Sequence, residues 1–179
     1  MVAINKLKAL SLEQIKSLWI VYPETGEIYW RERGFGRTLG KPCGCLVANG
    51  HRKIGLRING KYIQFYAHHI VWAWCHGSWP IGDLDHKNGN PDDNRIDNLR
   101  PASDEENAFN KGRVRTNKSG LKWVCLHKSS AERGKPKPWQ AAVWAGEDRR
   151  QKYFASKEEA FAWASNVAQE LHGEFYNSG

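Results

Sequence analysis

The sequence predicts an α+β fold built as two small units, and three local patterns carry that reading. Asn59-Gly60 separates two alternating stretches, Lys53-Ile54-Gly55-Leu56-Arg57-Ile58 and Lys61-Tyr62-Ile63-Gln64-Phe65-Tyr66, and Asn-Gly between such stretches is the strongest short hairpin signal. An apolar and aromatic run from Ala67 to His76, closed by Gly77 and Pro80, predicts a buried helix. In the C-terminal third, strand patterns near 122–126, 139–144 and 149–154 precede a helix from about 157 to 172. That order predicts a three-stranded antiparallel sheet packed on one helix.

The remaining elements follow from caps and turns. Ser11-Leu12-Glu13-Gln14 has the spacing of a capping box and opens a short helix through Trp19. Pro23-Glu24-Thr25-Gly26 reads as a turn and Glu27-Ile28-Tyr29-Trp30 as a strand. The Gly-rich, basic stretch from Arg33 to Gly44 reads as a loop. Ser103-Asp104-Glu105-Glu106 starts a further helix with acids in its first turn, as the helix dipole favours, and that helix should reach about Asn110. Ser156-Lys157-Glu158-Glu159 caps the last helix, whose Ala160, Phe161, Ala164, Val167, Ala168 and Leu171 recur at helical spacing. Gly173 ends it. The domains expected are 1–110, a basic linker over 111–118, and 119–179.

Composition narrows the function classes. The 179 residues are 26% charged and 40% hydrophobic, an ordinary globular balance. No apolar run reaches the roughly 18 residues of a membrane-spanning helix, so a membrane role is not expected. The N-terminal ten residues lack the apolar core of a secretory signal. Four cysteines are too few for a disulfide scaffold, and Cys43-Gly44-Cys45 is too tightly spaced for an ordinary zinc knuckle. An intracellular, cytoplasmic protein with reduced thiols is the expectation, in the host-cell cytoplasm if the chain is phage-encoded.

Charge is uneven along the chain. Residues 1–82 carry +7, 83–110 carry −5, 111–152 carry +9 and 153–179 carry −3, within a net charge of +8. Two basic regions suit a polyanionic partner, or solubility alone. An acidic island between them calls for a reason of its own, which a cation held between carboxylates and phosphate would supply. That island, Leu84 to Arg100, joins an adjacent Asp85-His86 pair to a turn-rich loop and then to Asn98-Leu99, with Asn107 one turn into the next helix. Asp, Asn and Gly also simply make turns. On a regular strand Asp85 and His86 would point to opposite faces, so a shared site requires bent local geometry.

The elements Ala67-His68-His69-Ile70, Asp85-His86, the Asn-rich loop, Asp97-Asn98-Leu99-Arg100 and Glu106-Asn107 occur in an order and spacing that resemble an HNH endonuclease with a ββα-metal fold. The subgroup most resembled is that of phage and intron-borne homing endonucleases, and the likeness spans roughly residues 20–110. The resemblance implies Asp85 and Asn107 as ligands of one divalent cation, Mg²⁺ or Mn²⁺, and His86 as the general base that activates water. It implies that Asn98 holds the loop and orients His86, and that His68 makes an ordering or a DNA contact. His69 stands where relatives usually carry Arg. Asn94 and Asp97 are assigned to loop structure. A neutral imidazole with an ordinary pKa of about 6.5 suits the base role, and an all-oxygen ligand set suits hard cations over Zn²⁺.

The C-terminal third resembles the plant Apetala-two/ethylene-response DNA-binding domain. The residues that carry the likeness are Ser119-Gly120-Leu121-Lys122, Trp139-Gln140-Ala141-Ala142-Val143, Phe154 to Ala160, and Leu171-His172-Gly173-Glu174-Phe175. It implies a sheet lying in the DNA major groove, with Lys122, Lys128, Gln140, Trp144, Arg150 and Lys152 meeting DNA. Which sheet face is solvated is open by one register step. Trp123 and Lys152 stand where relatives usually have Gly. Lys111, Arg113, Arg115 and Lys118 in the linker are expected on phosphates or in a minor groove, the alternative being a solvated tether.

Taken together, the sequence predicts a metal-dependent DNA endonuclease of homing type that hydrolyses phosphodiester bonds at a preferred site in double-stranded DNA, as a monomer or homodimer. The rival readings are a DNA-binding regulator on a nuclease scaffold and an RNA- or structure-specific nuclease.

Overall fold

The computed structural model describes residues 10–112, 117–127, 133–134 and 136–178. Arg113, Arg115 and Lys128, expected as DNA contacts, lie outside the described residues. The chain divides into two compact units, Met1–Ser103 and Asp104–Gly179. Mixed helices and strands, with every named strand pairing antiparallel, make it an α+β protein. The sequence closes its first unit at residue 110, whereas in the structure the helix over 104–110 groups with the C-terminal unit.

In the N-terminal unit, helix α1 (Leu12–Leu18) starts from a reciprocal box. Ser11 Oγ accepts from the Gln14 amide at 3.2 Å, and Gln14 Oε1 accepts from the Ser11 amide at 2.8 Å. It stops one residue short of the expected end, because strand β1 (Trp19–Tyr22) begins there, a strand the sequence reading did not assign. Trp19-Ile20-Val21-Tyr22 is continuously apolar, so its period is ambiguous. β-Branched and aromatic side chains nevertheless favour a strand, and Trp19 and Val21 alternate into the core. β1 pairs with β2 (Glu27–Trp30) around the Pro23–Gly26 turn.

A short strand β3 (Cys45–Leu46) pairs with β4 (Arg52–Ile58), which forms the Asn59-Gly60 hairpin with β5 (Lys61–Tyr66). Asn59 and Gly60 have φ of 49° and 77°, the pair of positive values that a type I′ turn requires. The chain passes straight into helix α2 (Ala67–His76), capped by left-handed Gly77 at φ 67°. Ile15, Trp19, Ile28, Ile54, Phe65, Ile70 and Val71 are fully buried at the centre. β6 (Asp83–His86) and β7 (Leu99–Ala102) form a separate antiparallel pair, joined by a long loop that ends in a 3₁₀ turn over Ile96–Asn98.

The C-terminal unit contains α3 (Asp104–Asn110), β8 (Val124–Leu126), β9 (Trp139–Ala145), β10 (Asp148–Phe154) and α4 (Lys157–His172), with β9 central in the sheet. Ala141 and Val143 of β9 are buried in one cluster with Ala160, Ala164, Val167 and Ala168 of α4. α3 is held within this unit. Phe109 stacks on His172 with centroids 3.9 Å apart, and Asn177 Nδ2 donates to the Asn110 carbonyl at 2.7 Å. Among the described residues, no helix is long and apolar enough to cross a membrane.

Candidate active site

Asp85 and His86 occupy the last two positions of β6 and are both buried. Cross-strand register sets Asp85 opposite Arg100 and His86 opposite Leu99. Arg100 donates from Nε to Asp85 Oδ2 at 2.8 Å, and its terminal nitrogen lies 2.7 Å from the same oxygen. The pair is 8% exposed on each side, so neither charge is left to water.

The loop after His86 is held from four directions. Asn98 Nδ2 donates to the Asp93 carbonyl at 2.7 Å and to Asn88 Oδ1 at 3.1 Å, while its Oδ1 accepts from the Asn88 amide at 3.1 Å. Arg52 of β4 grips Asp92 through two nitrogens at 2.9 and 3.0 Å. The turn at Gly50 lies so close to Pro91 that a Cβ there would meet the proline ring at 2.7 Å. Gly26, at φ +72°, lies against the Asn94 backbone, where a Cβ would be 2.4 Å from the carbonyl carbon. Ile96 also donates its amide to the Pro23 carbonyl at 3.0 Å. The Pro-Glu-Thr-Gly turn is therefore a buttress for this loop.

This framing places Asn94 against His86, a contact that the sequence reading missed by treating Asn94 as loop structure. Asn94 Nδ2 donates to the Asp92 carbonyl at 3.0 Å, which turns its Oδ1 toward His86 Nε2 at 3.4 Å. An amide oxygen can only accept, so the Nε2 of a neutral His86 carries the proton and Nδ1 carries the lone pair. Burial lowers the His86 pKa, outweighing the opposing pull of Asn94 and of the Asp85 and Asp93 charges. Its ring is thus uncharged at neutral pH. Asp93 is itself held down to about 2, chiefly by the Arg95 guanidinium at 2.7 and 2.8 Å.

Three further histidines surround His86. His68 stacks on Tyr66, and its ring centroid lies 5.0 Å from that of His86 and 4.4 Å from that of His69. His51, in the turn before β4, lies 5.6 Å from His86 and 5.3 Å from His68. Burial lowers all three, His69 to about 4 and His68 well below its ordinary value. His51 carried no signal in the sequence, because only the fold brings the start of β4 to the end of β6. Asn107 lies half-buried on α3 in the C-terminal unit.

In the C-terminal unit, the cross-strand register decides which sheet face is open. Arg149 lies opposite Trp144, Gln151 opposite Ala142 and Tyr153 opposite Gln140, while Arg150 pairs with buried Val143 and Lys152 with buried Ala141. The open face therefore carries Gln140, Trp144, Arg149, Gln151 and Tyr153. Arg150 and Lys152, expected on DNA, belong to the helix-packed side. Arg150 is held by Asp148 at 3.0 Å and by Glu170 of α4 at 2.9 Å. This is the one-step register slip that strand alternation alone leaves open.

Lys122, expected on DNA, is held inside its own unit. Its side chain is buried, and its Nζ donates to the Phe109 and Asn177 carbonyls at 2.7 and 2.8 Å while lying 4.4 Å from the Trp123 ring centroid. Trp123 adopts φ +61°, a conformation that strains a bulky side chain and that glycine adopts freely. Lys111 and Lys118 are exposed.

Comparison with known proteins places these residues in a family. A family model described as HNH endonuclease matches residues 65–109. Protein 3.8 of Escherichia phage T7 is 37% identical over 121 residues, which cover 64% of this chain and 93% of the relative. The solved structure of the HNH homing endonuclease I-HmuI, described by its DNA binding and cleavage, aligns over 92% of this chain and 90% of its own. That alignment has a TM-score of 0.42 and 21% identity.

Proposed function

Because the chain belongs to the family of phage T7 Protein 3.8 and carries an HNH endonuclease domain over residues 65–109, we propose that it is a metal-dependent DNA endonuclease of homing type. Its reaction is hydrolysis of a phosphodiester bond at a preferred site in double-stranded DNA. The observation that carries this reading is His86, a buried imidazole whose Nε2 faces an amide oxygen and which directly follows a buried carboxylate on the same strand.

In this reading His86 takes the proton of the attacking water at Nδ1, and Asn94 holds the tautomer that permits it. Asn98 and the Gly26 turn keep the loop from drifting, so that the base stays aimed. His68, packed between Tyr66 and His86, orders the ring rather than reacting. The donors that the resemblance implies for a divalent cation are the Asp85 carboxylate and the Asn107 amide. One carboxylate and one amide oxygen fit Mg²⁺ or Mn²⁺, and such an ion supplies charge stabilisation for the phosphoryl oxygens and the departing alkoxide. Arg100 fixes the Asp85 carboxylate against rotation.

The C-terminal unit is the address. A three-stranded sheet braced by one helix, with Gln140, Trp144, Arg149 and Gln151 on its open face, is suited to reading base edges. Lys111 and Lys118 would neutralise phosphates. The phage origin of the relative fits action in the cytoplasm of a host cell. A single base per chain fits nicking by a monomer and cutting of both strands by a homodimer.

The test is conversion of supercoiled plasmid carrying the gene's own flanking sequence, with Mg²⁺, Mn²⁺ or EDTA, beside His86→Ala. Metal-dependent open circle or linear product from wild type alone supports the nuclease. Tight, salt-sensitive binding without conversion replaces it with the regulator. Conversion of RNA or single strands in preference to duplex replaces the substrate.

A further inference from the structure

His51, His68 and His86 arise from three different elements: the turn before β4, the first turn of α2 and the end of β6. One ring nitrogen of each nevertheless lies within 4.8 Å of those of the other two. The His51 and His68 rings each meet His86 edge to face, at 68° and 90°, and are tilted to one another at 60°, so none of the three pairs stacks face to face.

Two of the three rings, those of His51 and His68, each carry a ring nitrogen that the fold leaves unmatched. The Nδ1 atoms of His51 and His68 are buried and have no hydrogen-bond partner, and His68 is only 4% exposed. An unmatched buried ring nitrogen is unfavourable, and a bound cation would satisfy it.

Their chemistry also differs from that of Asp85 and Asn107. Neutral imidazole nitrogens are borderline donors that suit Zn²⁺ and its neighbours, whereas Mg²⁺ keeps oxygen ligands. Two of the three rings, His68 and His86, are themselves buried, so the convergent nitrogens are screened from water. Zinc–nitrogen bonds of about 2.0–2.1 Å in a tetrahedron require the three rings to close by roughly an ångström, and His51, in a turn and only half-buried, has the freedom to do so.

We propose that His51, His68 and His86 form a trihistidine site for zinc or a similar borderline divalent cation, separate from the oxygen donors of the proposed Mg²⁺ site, and that filling it withdraws His86 as a base. A ring nitrogen bonded to zinc has no lone pair to offer water, so the same cluster makes the enzyme sensitive to a competing ion. Binding stands on the geometry alone. The inhibitory consequence rests on His86 being the base.

Cobalt(II) serves as the probe, because its visible absorption reports ligation by imidazole nitrogens in a low-coordinate site without any nuclease assay. The full-length protein should take up one equivalent of Co²⁺, displaceable by Zn²⁺. His51→Ala and the bulkier, polar His51→Gln should each weaken uptake by about tenfold or more, retain Mg²⁺-dependent plasmid conversion and lose its inhibition by Zn²⁺. Absence of Co²⁺ uptake by wild type, or uptake unchanged in both His51 variants, overturns the site. Zn²⁺ bound through His51 without loss of plasmid conversion overturns the inhibition. His51-dependent uptake in a protein that never cleaves DNA sustains the site and defeats the nuclease reading instead.

Discussion

Arg100 stands directly opposite Asp85 across the β6–β7 pair, and two of its nitrogens reach the same carboxylate oxygen, Oδ2, at 2.7 and 2.8 Å. Both side chains are buried, so the pair is a coupled unit: removing the guanidinium strands an uncompensated charge. Arg100→Met should cost about 3–5 kcal/mol in urea unfolding. Arg100→Lys should recover part of that stability and still lower Mg²⁺-dependent cleavage, because an ammonium lacks the planar fork that sets the carboxylate's orientation. Full cleavage by Arg100→Lys would show that the carboxylate needs no such orientation.

The Gly26 contact makes a second, sharper case. A Cβ at Gly26 would lie 2.4 Å from the Asn94 carbonyl carbon, and φ +72° penalises any L side chain. Gly26→Ala should therefore push the loop away from the β1–β2 turn, destabilise the unit by roughly 2 kcal/mol or more, and reduce cleavage by moving Asn94 from His86. Gly60→Ala is the control: its φ of +77° carries the same backbone penalty with nothing near the new Cβ. It should cost about 1 kcal/mol and leave the loop in place. Hydrogen exchange over residues 88–95 separates the two.

The buried histidines set a pH dependence whose sign is fixed by burial. His69 titrates at about 4 in the folded chain and near 6.5 when unfolded. Between those values the unfolded chain binds more protons, so acid favours unfolding. The stabilisation is complete above pH 6.5 and is lost as pH falls toward 4, on the order of 3 kcal/mol from this residue. Urea midpoints measured from pH 7.5 to 4.5 should fall accordingly. His69→Gln, which cannot titrate, should flatten part of that slope.

The sequence carried its information unevenly. The Asn59-Gly60 hairpin, the Ala67–His76 helix and the last helix were legible because turn chemistry, capping and periodicity agree there. The strand Trp19–Tyr22 was not, since four apolar residues in a row fit either period. Asp85 and His86 were visible as an adjacent pair. Their surroundings were not: His51 is drawn in from a distant turn, and Asn94 looks like any loop asparagine until Gly26 and Asp92 fix it. Such contacts depend on tertiary register, which alternation and composition do not encode.

Register is also what the last prediction tests. Trp144 and Arg149 are cross-strand partners on the open face of the C-terminal sheet, while Arg150, one residue on, faces the helix and is engaged by Asp148 and Glu170. If the open face reads DNA, Arg149→Ala and Trp144→Ala should each weaken site-specific binding by about 1–3 kcal/mol. Lys118→Ala should weaken binding to all sequences alike and reduce its salt dependence. Arg150→Ala should change affinity little and instead lower the thermal stability of the unit, by under about 1 kcal/mol, as its ion pairs are partly exposed. Fluorescence anisotropy on cognate and scrambled duplexes at two salt concentrations resolves the three behaviours. A larger specificity loss from Arg150→Ala than from Arg149→Ala would mean that DNA meets the unit at the helix side, and that the sheet face is not the reader.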